Sequence, residues 1–304
     1  MDYLALAQQG KNQWWRYVLG FFLILLAWQG IGLMPLFAMG YWAEVDGDVA
    51  TRFNWDTFML EGISPALTFV DMMAMFIFLM LGVWLVVRFL HKRPFLSLIT
   101  PLQRISWMRV LQGAVVFAAI YLSVTVLGEW LLPTPAGEME YVFDAQAFLL
   151  FLPLALLLIP IQTSAEELLF RGYVLQGLGL VLHRWAAVLV SALLFALPHL
   201  LNPEVYGANL WIAVLPYLTT GLLLALLTVR DGTLELAMGV HAINNLFAFL
   251  FVTTPPYDTF PALFVYHGEL FTWETVASEA LIAVLFYWVI FRFFARPEAL
   301  KVAP

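Results

Sequence analysis

The sequence predicts an all-α, polytopic membrane bundle of about eight transmembrane helices, on three observations. Hydrophobic residues make up 63% of the 304 and charged residues 12%, against about 25% charged in an ordinary soluble domain. Apolar stretches near the ~20 residues needed to cross a bilayer recur along the whole chain. The basic residues fall on one side of those stretches, as the positive-inside rule requires.

The first stretch, 17–39, follows Lys11 and Arg16. It is too long for a signal-peptide core and has no convincing cleavage site, so it reads as a retained span. The second, 66–90, and the third, 109–132, are joined by a basic loop with Arg88, Lys92, Arg93, Arg104 and Arg109. A loop with Glu138, Glu140 and Asp144 leads into the fourth, 147–170, which is expected to continue as helix past 170. A hairpin turning near His183 gives the fifth and shortest, 185–201. The sixth, 209–228, turns at Asp231-Gly232 into the seventh, 234–252, and the eighth covers 275–295. Trp and Tyr gather near the ends of these runs, where interfacial belts form.

With eight alternating crossings, thirteen of the fourteen Lys and Arg lie on one side and Arg52 alone on the other. The opposite loops are acidic: Glu44, Asp46, Asp48, Asp56 and Glu61, then Glu138, Glu140 and Asp144, then Asp258, Glu269 and Glu274. Both termini are therefore expected in the cytoplasm. His91, Lys92 and Arg93 are expected at that surface, against anionic lipid head groups. No polar stretch is long enough for a soluble domain, so 1–304 reads as one membrane-embedded domain. No internal repeat is evident. Cys is absent, which excludes disulfides, thiolate metal sites and a cysteine nucleophile. The net charge of −7 and the lack of a basic patch argue against a nucleic-acid partner.

Charge inside the apolar runs points to a site. Glu166, Glu167 and Arg171 lie within six residues of one another, and a charge at the bilayer centre costs about 2.5–3.5 kcal/mol on insertion scales. Glu167 and Arg171 are four apart and can pair on one helix face. Glu166 points about 100° away and is expected to lack a local partner. His199 closes the fifth run, and His241 and Asn245 share a face of the seventh. Glu166 stands seventeen residues before His183 and His199 sixteen after it. At ~1.5 Å per residue the two lie level in an antiparallel pair. His241 reaches that level only if the fourth-to-fifth hairpin projects further than the sixth-to-seventh.

A buried carboxylate facing two imidazoles and an amide suits amide hydrolysis by activated water. Glu166 would take the proton, His199 would hold the water or a metal, and His241 and Asn245 would donate to the oxyanion. Glu166, His199 and His241 would also serve as a zinc set, which leaves a divalent metal open.

At these residues the chain resembles the CPBP family of intramembrane proteases, also called the ABI or CAAX prenyl-endopeptidase family. Its motifs E-E-x-x-x-R, F-x-x-x-H and H-x-x-x-N/D stand here in order as Glu166, Glu167 and Arg171, then Phe195 and His199, then His241 and Asn245. The resemblance implies a protease core over about 147–252 and a cavity open toward the cytoplasm. It further implies proteolysis of a membrane-anchored or lipid-modified peptide near the surface of a plasma membrane. The family also holds members tied to bacteriocin immunity, so a non-proteolytic scaffold of the same fold is the rival reading.

Structural roles compete at each position. Glu167 and Arg171 read as supporting residues that orient Glu166 or the substrate. Phe195 reads as packing, and Asn244 as helix–helix glue. Asp71, Glu129, Glu235 and Glu279 read as structural carboxylates. No H-E-x-x-H is present, no serine stands in an obvious triad, and without inverted repeats or broken half-helices a transporter is the weakest reading.

Overall fold

The computed structural model describes residues 2–296. Eight helical stretches fall where the eight apolar runs lie: α1 (Trp14–Val45), α2 (Pro65–Leu90), α3 (Trp107–Leu131), α4 (Ala145–Leu178), α5 (Arg184–His199), α6 (Leu210–Asp231), α7 (Glu235–Leu250) and α8 (Trp273–Phe293). All except α5 and α7 are long and apolar enough to cross a membrane. Those two have 16 residues each, about 24 Å of helix at 1.5 Å per residue. The shortness of α7 is compensated by burial: Leu236, Ala237, Val240 and His241 are all enclosed by the bundle.

Short strands add to the helices between spans. β1 (Arg52–Asn54) and β2 (Met59–Glu61) form an antiparallel hairpin. β3 (Met139–Tyr141) pairs antiparallel with β5 (Phe264–Tyr266), which pairs parallel with β4 (Val252–Thr253). These segments are only two or three residues long and carry no alternating pattern that a sequence could show.

Two close crossings set the spacing around the centre. A Cβ on Gly239 of α7 would lie 2.0 Å from the Val110 carbonyl oxygen of α3, so the backbones there meet without side chains between them. A Cβ on Gly221 of α6 would lie 2.9 Å from the Ala192 carbonyl oxygen of α5. Small residues at such crossings are how membrane helices gain packing area without a hydrophobic drive between them. The central core includes Leu79, Val83, Phe117, Leu168, Phe195, Leu224 and Phe286, drawn from six helices.

Helix ends are tied together by charge at the end that carries the basic loops. Arg109 at the start of α3 holds Asp231 at the end of α6 through Nη2 (2.6 Å) and Nε (3.2 Å). Arg296, beyond α8, pairs with Asp231 at 3.4 Å and with Glu235 at the start of α7. Glu235 also accepts from the Ser106 backbone N–H at 2.7 Å, which is the structural role expected of it. Lys301, counted among the basic residues above, lies outside the described residues.

The lipid-facing role expected of His91 and Arg93 is corrected here. His91 is buried, with Nδ1 2.9 Å from the Lys11 carbonyl and Nε2 3.0 Å from the Tyr173 hydroxyl. Arg93 is buried and donates to Gln176 Oε1 at 2.8 Å. Only Lys92 of the three is exposed. A run of basic residues after a helix reads as a surface, but the chain turns inward here to pack against the end of α4.

Candidate active site

Glu166, Glu167 and Arg171 sit where α4 changes its winding. The stretch Leu168–Val174 is π-helical, a wider turn that recurs at functional sites. Arg171 is fully enclosed. Its Nη1 donates to Glu167 Oε1 at 2.6 Å and its Nη2 to the Gly221 carbonyl at 3.2 Å. Gly221 therefore serves twice, as a close crossing and as an acceptor. The guanidinium carbon lies 4.1 Å from the Phe195 ring centroid, a geometry that favours a desolvated cation.

The same Glu167 oxygen is 2.8 Å from Nδ1 of His241, 74 residues away on α7. The level argument for His241 thus holds: α4 runs eleven residues past Glu167 to Leu178, while His241 lies six residues into α7. At ~1.5 Å per residue the α4–α5 hairpin projects about 7 Å further, as that argument needs. With Nδ1–H on Glu167, the ring turns Nε2 toward Glu166, whose Oε2 is 3.5 Å away. A histidine whose one nitrogen is bound to a carboxylate has its tautomer and orientation fixed at the other.

Glu166 does not lack a local partner, contrary to expectation. Gln162, one turn earlier on α4, donates from Nε2 to Glu166 Oε2 at 2.8 Å. The carbonyl of the same Gln162 amide accepts from Asn245 Nδ2 at 3.0 Å. Gln162 is thus a member of the Glu166 network that the motifs do not contain. Its signal was the i, i+4 spacing to Glu166 on the face opposite Arg171, inside an apolar run where an amide needs a partner. Asn244 donates to Asn245 Oδ1 at 3.3 Å within the same helix, a contact to its chain neighbour and not the helix–helix bond expected of it.

His199 stands apart from this network. It is the last residue of α5, and its Nδ1 is 2.8 Å from the Phe195 carbonyl. Its ring packs on Phe195 with centroids 4.6 Å apart, and Phe195 lies 5.6 Å from His241. Phe195 is the buried ring between Arg171 and both histidines, which gives its packing role a specific content. With Nδ1–H on a carbonyl, a neutral His199 presents Nε2 as an acceptor.

The zinc set considered from sequence is not gathered. Glu166 and His241 meet, but among the described residues no three His, Asp or Glu side chains cluster as ligands for one ion. As placed, the side chains fit hydrogen-bonded carboxylates better than a three-ligand metal centre.

Comparison with known proteins agrees with the motif region. The family model for type II CAAX prenyl endopeptidases, Rce1-like, matches residues 145–247, from the first residue of α4 to Phe247 of α7. The uncharacterized protein YyaK of Bacillus subtilis (strain 168) is 32% identical over 286 residues, covering 92% of this chain and 93% of that protein. No solved structure matches the chain. An integral membrane protein whose helices bring Glu166, Glu167, Arg171 and His241 together in a buried network that Gln162 extends to the half-buried Asn245, the chain belongs to the type II CAAX prenyl endopeptidase Rce1-like family.

Proposed function

We propose that the protein is an intramembrane endopeptidase that hydrolyses a peptide bond of a membrane-anchored or lipid-modified substrate, with Glu166 as the base that activates water. The observation that carries this is the unequal treatment of two adjacent carboxylates. Glu167 is bound by the Arg171 guanidinium and by His241, so its charge is committed to structure. Glu166 is held by the neutral Gln162 amide and faces His241 at the longer distance of 3.5 Å. Pairs of titratable groups in divergent environments mark the division between anchor and base.

The chemistry follows from those positions. Glu166 takes a proton from water, whose oxygen attacks the scissile carbonyl carbon. His199 Nε2 accepts the water's other hydrogen bond and orients the lone pair. The carbonyl oxygen takes up the negative charge and is stabilised by N–H donors from Asn245 and from protonated His241 Nε2. As the tetrahedral species collapses, Glu166 returns its proton to the departing amine nitrogen. Arg171 acts through Glu167, holding the acceptor that aims His241.

Within this proposal the substrate is a membrane-anchored peptide, the membrane is a plasma membrane, and the basic end of the bundle with both termini faces the cytoplasm. The test is cleavage of a panel of membrane-anchored peptides by detergent-purified protein, comparing the parent with Glu166→Gln, with and without a chelator. Loss of cleavage by about 10²–10⁴-fold in the variant is expected for removal of a general base. Loss on chelation alone would replace the metal-free scheme with a metal-assisted one. Undiminished cleavage by Glu166→Gln overturns the assignment, and under the scaffold reading that variant keeps its phenotype in cells.

A further inference from the structure

The two histidines of the site are held in different ways, and the second has a holder outside the family motifs. His241 is fixed by a carboxylate bonded directly to its ring. His199 ends α5 at the segment 200–209, whose first turn is bonded back to the helix end, with the Asn202 N–H donating to the His199 carbonyl at 3.1 Å, so the backbone is fixed and the side chain is the part that needs holding. Its Nδ1 contact to Phe195 sets one edge of the ring, and Phe195 covers one face. The other constraint comes from α6: the Tyr217 ring lies 4.8 Å from the His199 ring at an interplanar angle of 33°.

Tyr217 is itself anchored. Its hydroxyl donates to Glu204 Oε1 at 3.0 Å, and the same oxygen accepts from Asn202 Nδ2 at 2.9 Å. Glu204 belongs to the short 3-10 turn Pro203–Val205, directly after α5. That turn is seated by a small apolar cluster of Val205, Ala213 and Phe271, against which Tyr217 packs. Tyr217 also follows Pro216, which interrupts the hydrogen-bond ladder of α6. A chain of contacts therefore runs from a half-buried carboxylate, through a phenol, to the face of His199.

We propose that Tyr217 is a positioning residue for His199, clamping the imidazole against Phe195, and that Glu204 sets the Tyr217 ring through its hydroxyl. The proposal rests on the proteolytic reading for its effect on rate, but its geometric content stands apart from it. Without the ring, His199 rotates about its side chain and Nε2 no longer points where the attacking water is held. A misplacement of about 1 Å in such a group can cost 10²-fold in rate.

Three variants separate the parts of the clamp. Tyr217→Phe keeps the ring and removes the hydroxyl, Tyr217→Leu removes the ring, and Glu204→Gln keeps an acceptor for the phenol. On a cleaved peptide, Tyr217→Leu lowers kcat by about 100-fold with KM within about twofold, as a misaimed group does. Tyr217→Phe restores kcat to within about tenfold of the parent, the scale of one hydrogen bond, and Glu204→Gln lies closer still. A rise in KM alone would make Tyr217 a substrate contact, and equal losses in the Phe and Leu variants would make the hydroxyl, not the ring, the working part. Either result overturns the proposal.

A second readout needs no turnover. In protein labelled with ¹⁵N-histidine, the His199 imidazole resonance, assigned by its loss in His199→Gln, stays near the parent position in Tyr217→Phe. It shifts and broadens in Tyr217→Leu. If Tyr217→Leu does not fold, Tyr217→Met, which keeps an apolar chain of similar reach but removes the flat ring, shifts and broadens the same resonance. An unmoved resonance in whichever of these two ring-less variants folds refutes the clamp. Failure of Glu166→Gln to alter cleavage would instead refute the proteolytic reading and leave the resonance result standing.

Discussion

Arg171→Met would leave a carboxylate charge deep in the bundle with half its partners gone. Arg171 is fully enclosed, donates to Glu167 at 2.6 Å and to the Gly221 carbonyl at 3.2 Å, and lies 4.1 Å over Phe195. Breaking a buried ion pair from one side costs about 3–5 kcal/mol, because the remaining charge is uncompensated. Glu167→Gln leaves the guanidinium in the same position and carries a similar cost. The double variant Glu167→Gln/Arg171→Met removes both charges, so what it loses is chiefly hydrogen bonding and packing, about 1–3 kcal/mol. The two losses therefore fall short of additivity by about 3 kcal/mol or more, the upper range of coupling between contacting residues. Equilibrium unfolding by SDS titration in micelles, followed by fluorescence of the 12 tryptophans, measures all three. A double variant as unstable as the sum of the singles would refute the buried pair, and so would single costs below about 1 kcal/mol.

Three further expectations come from particular contacts. Gln162→Leu lowers cleavage by about 10–100-fold in the parent and adds little to Glu166→Gln, because residues acting as one unit are not additive; unchanged cleavage in Gln162→Leu would remove Gln162 from the site. Gly239→Ala forces α3 and α7 apart, since the new Cβ would lie 2.0 Å from the Val110 carbonyl oxygen; a loss of about 1–3 kcal/mol in the same unfolding assay is expected, and an unchanged midpoint would contradict the close crossing. Burial, just past the end of α2, pushes the His91 imidazole down from 6.5 to about 4. The folded state then binds fewer protons than the unfolded chain between those values, so the His91 contribution is full above pH 6.5 and fades as pH falls toward 4; His91→Gln flattens that part of the stability profile, and an unaltered profile would show that His91 is not held neutral.

The sequence by itself determined the membrane class, the places of the eight helical stretches, and which charged and imidazole residues lie inside the apolar runs. The reason is the cost of polarity in hydrocarbon: apolar runs must be about one bilayer long, and a charge inside one needs a partner or a purpose. The Glu167–Arg171 pair was legible because both residues lie on one helix at a spacing that fixes their contact. The short strands were not legible, since two or three residues carry no period. The burial of His91 and Arg93 was missed for a related reason: whether a basic residue after a helix meets lipid or protein depends on what the chain packs against next. The tertiary structure alone decided how the site is wired. It set His241 on Glu167 across 74 residues of sequence, inserted Gln162 between Glu166 and Asn245, and left His199 on a separate arm held by Phe195 and Tyr217. Contacts within one helix follow from its pitch, whereas contacts between helices depend on crossing distances and relative depth, which close approaches such as Gly221 and Gly239 fix only when the whole bundle is assembled.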